Sequence, residues 1–487
     1  MKTALILLFL LALASIPGSI LPQRGTNPIL VEQWITDNPT LGPIFDSVGL
    51  FDVFGSPWYS AVYILLFISL IGCVLPRLGL HWKAMRRPPP SAPKNLSRFG
   101  GGEFEFVGEP EVIIARACAI LKKERWRTVV GHDTHGGHWV AAEKGYLRET
   151  GNLVFHFSLI LILVGVAIGG LFGWRGNVIV REGEGFSNTL TQYDAWGGGR
   201  LSSADSLPEF SFTLESFNVE FERGNAQSGA PRLFEANMVV DQPGEPASTT
   251  HLVEVNQPLV IDAAKVFLVG HGYAPKLIVR DSQGAVVLDD AVVFLPQDGN
   301  FTSTGVIKVP DADPQLGFRG LFLPTTAVDE IRGPHSIFPA PDDISIFFGA
   351  WVGDLGLDDG VPQSIYTLNV EGMTQLGIDP LRIGQTWNLP EGAGSIEFTG
   401  YERWASFQLA YDPGKELALI AAILAIAGLS MSLFVQRRRI WVKVGEVPGR
   451  ISGSRVKVEV AGIAKASGHD ATEQVDRLVE LLKGKVL

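Results

Sequence analysis

The sequence predicts an α+β membrane protein in which about four transmembrane helices carry one large extracytoplasmic antiparallel β domain, a sandwich or an open barrel. Apolar residues are gathered into four runs of spanning length, Thr3 to Pro22, Trp58 to Leu75, Leu153 to Gly173 and Leu417 to Val435. None of the four contains Asp, Glu, Lys or Arg. The 242 residues from Trp174 to Lys415 hold 14 basic and 32 acidic residues and alternate apolar with polar positions, as half-buried strands do.

Each run is long enough to cross the hydrocarbon core as a helix that satisfies its own backbone polar groups. The first begins on Met1-Lys2 and continues through Pro17-Gly18 to Pro22, which makes it an anchor rather than a cleaved signal peptide. Orientation follows from the basic residues beside the runs. Lys2 precedes the first; Arg77, Lys83, Arg86 and Arg87 follow the second; Lys144 and Arg148 precede the third; Arg437, Arg438 and Arg439 follow the fourth. All four clusters fall on one side, so both termini are expected in the cytoplasm of a multi-pass plasma-membrane protein, and the acidic segment outside it.

The expected organisation is therefore 1–76 for the first two helices with a short external loop and 77–150 for a small cytoplasmic segment. Residues 151–173 form the third helix, 174–415 the external β domain, 416–436 the fourth helix and 437–487 a cytoplasmic tail. In the cytoplasmic segment a Pro88-Pro89-Pro90 linker leads to a helix around Glu111 to Glu124 and a hairpin at Trp126 to Glu143. In the external domain, Phe210-Ser-Phe-Thr-Leu214 alternates like a strand, and Asp281-Ser-Gln-Gly284 and Pro390-Glu-Gly-Ala-Gly394 have turn chemistry. At this size two sub-sheets are an option.

A net charge of -11 argues against a nucleic-acid partner, since phosphate binding wants a basic face. The only cysteines, Cys73 and Cys118, form no CxxC pair and no zinc-ligand spacing, which excludes a thioredoxin-like centre and covalent haem attachment through CxxCH. His156 is the one side chain inside the four runs that can take up a positive charge. It is read two ways: a histidine bonded to a neighbouring helix near the headgroups, or a ligand, since a neutral imidazole is a common haem-iron ligand. His132, His135 and His138 have a spacing that suits a metal, but they fall where the hairpin turns and lack an evident fourth ligand. His271, between Gly270 and Gly272, reads as a structural turn.

The order of short motifs resembles the ResB (CcsB) family, membrane subunits of system II cytochrome c maturation. The resemblance runs from the first residues to about Val444. It is carried by Lys2-Thr-Ala-Leu-Ile-Leu-Leu8, Ile16-Pro-Gly18 and Leu21-Pro-Gln-Arg24; by Phe51-Asp-Val-Phe54 and Ser56-Pro-Trp58; and by Gly72-Cys73-Val-Leu-Pro-Arg77. Further matches are Glu143-Lys-Gly145, Gly151-Asn-Leu153 through His156, Asp412-Pro-Gly414 and Arg439-Ile-Trp441. One departure is that family members often carry a basic stretch before the first helix, where this chain has only Met1-Lys2.

The resemblance implies a non-catalytic subunit of a holocytochrome c synthase (haem lyase) complex. With a ResC (CcsA) membrane partner it would carry haem b across the bilayer as transient cargo and present it to apocytochrome c. It also implies that His156 is a haem-iron ligand and that a thioredoxin-like thiol reductant serves the apocytochrome, since this chain has no external cysteine. The competing reading is a membrane-anchored extracytoplasmic binding module without haem.

Overall fold

The computed structural model describes residues 2–25, 28–99, 101–133, 137–224, 227–245, 248–358, 360, 363–446, 455–464 and 471–484. The chain divides into two compact units, Met1–Ile168 with Gly414–Leu487, and Gly169–Pro413.

The first unit is built on four apolar helices, Lys2–Ile20, Pro57–Arg86, Leu147–Phe172 and Lys415–Phe434, each long and apolar enough to cross a membrane. Leu5, Phe9, Ile64, Ile68, Ile423 and Ile426 are exposed on them, a surface that lipid solvates and water does not. Side chains are small where the third and fourth helices meet. A Cβ added to Gly428 would lie 2.6 Å from the Phe155 amide nitrogen, and one on Gly151 would lie 2.7 Å from the Gly428 carbonyl oxygen. Backbone therefore packs on backbone there. The Tyr63 hydroxyl donates to the Leu163 carbonyl and ties the second helix to the third. Ser15 Oγ lies 3.3 Å from the Tyr59 hydroxyl, between the first and the second.

The loop after the first helix forms two short helices, Pro28–Asp37 and Leu41–Ser47. Trp34 stacks on Phe45 and meets the buried Phe51 edge-on, and Trp58 Nε1 donates to the Val48 carbonyl. The second long helix starts on an N-cap, Ser56, whose side chain accepts from the Tyr59 amide, with Pro57 at the first helical position.

The stretches 77–150 and 437–487, separate segments in the sequence reading, are interleaved in one five-stranded antiparallel sheet. Its order is Gly101–Phe106, Val456–Ala464, Arg438–Glu446, His138–Lys144 and Arg127–His132. Alternate residues of the strands, among them Val140, Val442 and Val458, form a core with Ile113, Leu121, Val475 and Leu478 from the helices Pro110–Lys123 and Thr472–Lys483. On the other face Trp441 packs with Leu96, Ala141 and Ala461. A sheet that joins residues before the third helix to residues after the fourth lies on one side of any membrane. The two helices, if both span, therefore cross in opposite directions.

The second unit is a strand-rich domain, as the alternating sequence predicts. Two 17-residue strands, Ala264–Arg280 and Ser395–Tyr411, pair antiparallel along their whole length. One half of this ribbon, through Val266, Leu268, Phe407 and Leu409, packs on Phe212, Leu214 and Met238 of a four-stranded sheet. The other half, through Leu277, Val279, Ile396 and Phe398, packs on Phe318, Phe322 and Phe348 of a five-stranded sheet. Two sandwich-like lobes thus share one two-stranded antiparallel ribbon. His271 corrects the sequence reading: it lies inside the first long strand, not in a turn. Its flanking Gly272 serves packing, because a Cβ there would come within 2.4 Å of the Trp404 indole.

Candidate functional site

His156 lies on the third long helix, nine residues after its start at Leu147. Its Nδ1 is 2.7 Å from the carbonyl oxygen of Asn152. A carbonyl only accepts, so a ring proton sits on Nδ1, and the neutral form of the ring has its lone pair on Nε2. That is the protonation pattern of a metal-ligating histidine held by a backbone carbonyl. Phe155 meets the ring edge-on at 5.2 Å between centroids.

The ring lines a cavity of about 300 Å³ between the second and third helices. Val74, Leu80 and Leu153 supply apolar wall, and Arg77, His81, Glu149 and Asn152 supply the polar groups. Sequence reasoning missed His81. The charge-free run ends at Leu75, whereas the helix continues to Arg86 across Pro76. The carry-on is visible only as Leu78, Leu80 and the absence of another proline or turn until Arg87. His81 Nε2 lies 3.2 Å from Thr150 Oγ1 on the third helix, and its Nδ1 is buried without a hydrogen-bond partner.

One end of the cavity is held by a charge cluster at the base of the helices. Glu143, with a side chain only 2% exposed, accepts from Arg437 Nε at 2.5 Å, Arg439 Nε at 2.9 Å and the Tyr146 hydroxyl at 2.6 Å. Burial pushes its carboxyl up, but the bonds from Arg437, Tyr146 and Arg439 outweigh that and hold it below the usual glutamate value. Tyr146 is pushed up to about 12 by burial and by the Glu143 carboxylate. Arg437 also pairs with Glu149, so the one acid lining the cavity is neutralised.

The other histidines are placed differently. His132 and His138 face each other across the hairpin with ring centroids 4.5 Å apart, and His138 Nε2 is 3.4 Å from Glu111 Oε1. His135 lies outside the described residues. No group of three or more His, Cys, Asp or Glu side chains suited to a metal occurs among the described residues. His271 is enclosed by Phe301 at 4.5 Å, Phe234 at 5.0 Å and Phe217 at 5.3 Å between ring centroids. Burial, and secondarily the nearby Arg403, push its pKa down to about 3.

Comparison with known proteins bears on what such a cavity serves. A model of the ResB-like family matches residues 1–476, nearly the whole chain. The chain belongs to the ResB-like family. The resemblance read from the motifs is thereby confirmed. Among its relatives is a cytochrome c biogenesis protein CcsB of Synechococcus sp. (strain CC9311), 28% identical over 267 residues, which are 53% of this chain and 55% of the relative. A CcsB of Prochlorococcus marinus (strain MIT 9303) is 26% identical over 276 residues, 55% of this chain and 58% of the relative. A CcsB of Synechococcus sp. (strain JA-2-3B'a(2-13)) is 23% identical over 404 residues, 78% of this chain and 77% of the relative. In the first of these alignments the chain spans about half the length of the relative. Within the ResB-like family, then, this chain has an imidazole facing a cavity between two membrane-length helices.

Proposed function

We propose that this chain is a membrane subunit of cytochrome c biogenesis that receives haem b as transient cargo at His156 and passes it on for covalent attachment to apocytochrome c. The observation that carries the reading is an imidazole whose Nδ1 is committed to the Asn152 carbonyl, on the wall of a cavity between two spanning helices. Such a ring offers Nε2 to iron, and polar groups at membrane depth are costly unless they face a partner, a cavity or a cofactor. The names of the three relatives described above, each a cytochrome c biogenesis protein, support the same reading.

The basic residues beside the spans support a topology with both termini and the five-stranded sheet in the cytoplasm and the acidic β domain outside. His156 then stands near the cytoplasmic end of its helix, where haem made inside the cell arrives. A cavity of about 300 Å³ is at the small end for ligand sites. A porphyrin would extend past it, and a ResC (CcsA)-like membrane subunit is the partner we assign to cover the remainder and to supply the second axial ligand. The chain holds and orients haem, and the thioether chemistry belongs to the partner, the apocytochrome and a thioredoxin-like thiol reductant.

Co-expression with a ResC-like subunit, followed by co-purification and an absorption spectrum, tests this. The expected result is a haem Soret band in the complex and its loss, together with cytochrome c assembly, in His156→Ala. A complex that retains haem and activity without His156 would contradict the ligand assignment. A haem-free chain that forms no such complex would favour the membrane-anchored binding module.

A further inference from the structure

The second long helix is longer than a membrane requires. Its charge-free run, the 18 residues from Trp58 to Leu75, makes about 27 Å of helix, close to the roughly 30 Å of a hydrocarbon core. The helix then continues to Arg86, about 16 Å further. This extension stands at the depth of the lipid headgroups and beyond.

The extension does not turn polar all round, as a helix entering water would. Leu78, Trp82 and Met85 share one face at i, i+4 and i+7, and they are 49%, 60% and 41% exposed. The adjoining face carries Lys83 and Arg86, neighbours at i and i+3, and Arg87 follows as the cap residue. All three cations are exposed, and among the described residues no carboxylate pairs with any of them. The Arg86 guanidinium lies over the Trp82 ring, 4.4 Å from its centroid, which sets charge and indole side by side. Stacking engages the face of the guanidinium and leaves the donors on its edge for a ligand.

The end of the helix is also held in place. Arg127 donates from Nη1 to the Met85 carbonyl at 2.6 Å and from Nη2 to the Arg86 carbonyl at 3.3 Å, and Trp441 Nε1 donates to the Pro90 carbonyl at 3.1 Å. An approaching anion therefore meets a guanidinium rather than the bare negative end of the helix dipole.

We propose that Leu78, Trp82 and Met85, with Lys83, Arg86 and Arg87, form a seat for an anionic phospholipid of the bilayer. Its phosphate takes charge-assisted bonds from Lys83 and Arg86, and its glycerol backbone and acyl chain lie along the Leu78, Trp82 and Met85 face. Tryptophan suits this level because its ring is apolar and its N–H is polar, and basic side chains beside a span favour anionic over zwitterionic headgroups. A second copy of the chain fits the face poorly. Two copies related by a two-fold axis through this face would bring Lys83 and Arg86 of each toward those of the other. The seat ties the five-stranded sheet to the membrane surface through Arg127 and Pro90, and it is independent of the haem-cargo reading.

The test uses the full-length chain, delipidated in detergent, with three probes: dioleoylphosphatidylglycerol, dioleoylphosphatidylcholine and inorganic phosphate. Bound lipid is measured by native mass spectrometry. The wild type is expected to prefer the anionic lipid, and phosphate is expected not to displace it. Lys83→Gln with Arg86→Gln should weaken the anionic lipid about 30-fold and leave phosphatidylcholine unchanged. Lys83→Gln with Arg87→Gln, which spares the stack on Trp82, should act in the same direction and guards against a folding defect. Lys122→Gln with Lys123→Gln removes equal charge from another exposed site and should leave the preference intact.

Equal binding of the two lipids by the wild type, the same loss in the Lys122 and Lys123 control, or displacement of the lipid by phosphate overturns the proposal. So does a wild type that is dimeric in detergent and becomes monomeric in Trp82→Ala with its lipid preference unchanged, which would give this face to a second copy.

Discussion

His156 and His271 are both held inside folded structure, yet their surroundings prepare them for opposite tasks. His271 is walled in by three phenylalanine rings within about 5.3 Å, and its Nδ1 has no partner. His156 has one nitrogen fixed by a backbone carbonyl and stands on the wall of a cavity lined by Arg77, His81 and Glu149. Burial alone depresses the basicity of an imidazole; a functional ligand also needs room beside the free nitrogen and a bond that sets its tautomer. His156 has both.

Four experiments would break or sharpen this contrast. The largest effect is expected where the frame of the open cavity is attacked. Glu143→Ala leaves Arg437 and Arg439 without their buried carboxylate, and about 3–5 kcal/mol of stability should be lost, as for other broken buried pairs. Chemical denaturation of the full chain in detergent measures it. Because the Glu143 carboxyl is held below its usual 4.5, its contribution is present in full above that value and disappears as pH falls through the lowered one. A wild type insensitive to acid in that window would mean the cluster is not intact in solution.

Next comes ligation itself. Removing a hydrogen bond that supports a metal ligand costs roughly 10–100-fold in affinity, so removing the ligand in His156→Ala should cost at least as much. His271→Phe should leave haem binding as it is. A haem deficit in the His271 variant would erase the distinction between the two sites.

A smaller effect separates them by pH. His271 is pushed to about 3 from an ordinary 6.5, so the unfolded chain binds a proton between these values that the folded chain refuses. Stability of the β unit should therefore fall as pH drops from about 6.5 toward 3, by up to about tenfold in the folding constant per pH unit. In His271→Phe that part of the slope should vanish. The smallest effect is expected at Arg223, which makes an exposed pair with Asp342. Arg223→Ala should leave the melting temperature of the β unit unchanged, as exposed pairs commonly do.

How much of this was legible in the sequence follows the same division between local and distant causes. The spans announce themselves because lipid excludes charge over a continuous stretch, and His156 stood out as the one side chain among them that can take up a positive charge. His81 did not, since Pro76 and the basic residues after it disguise three further turns of helix. The sheet that joins Gly101–Phe106 to Val456–Ala464 has no local signature, because pairing between strands some 350 residues apart leaves only ordinary alternation in each. Glycines around His271 mimic a turn; their reason, the Trp404 indole lying against Gly272, belongs to the neighbouring strand.

The most direct measurement is chemical rescue. His156→Gly, purified with the ResC-like subunit proposed as its partner, should lack the haem Soret band and regain it on addition of free imidazole, which would replace the missing ligand in the same cavity. A variant that binds haem normally before imidazole is added, or a folded one that never regains the band with it, would contradict the assignment of His156 to the iron.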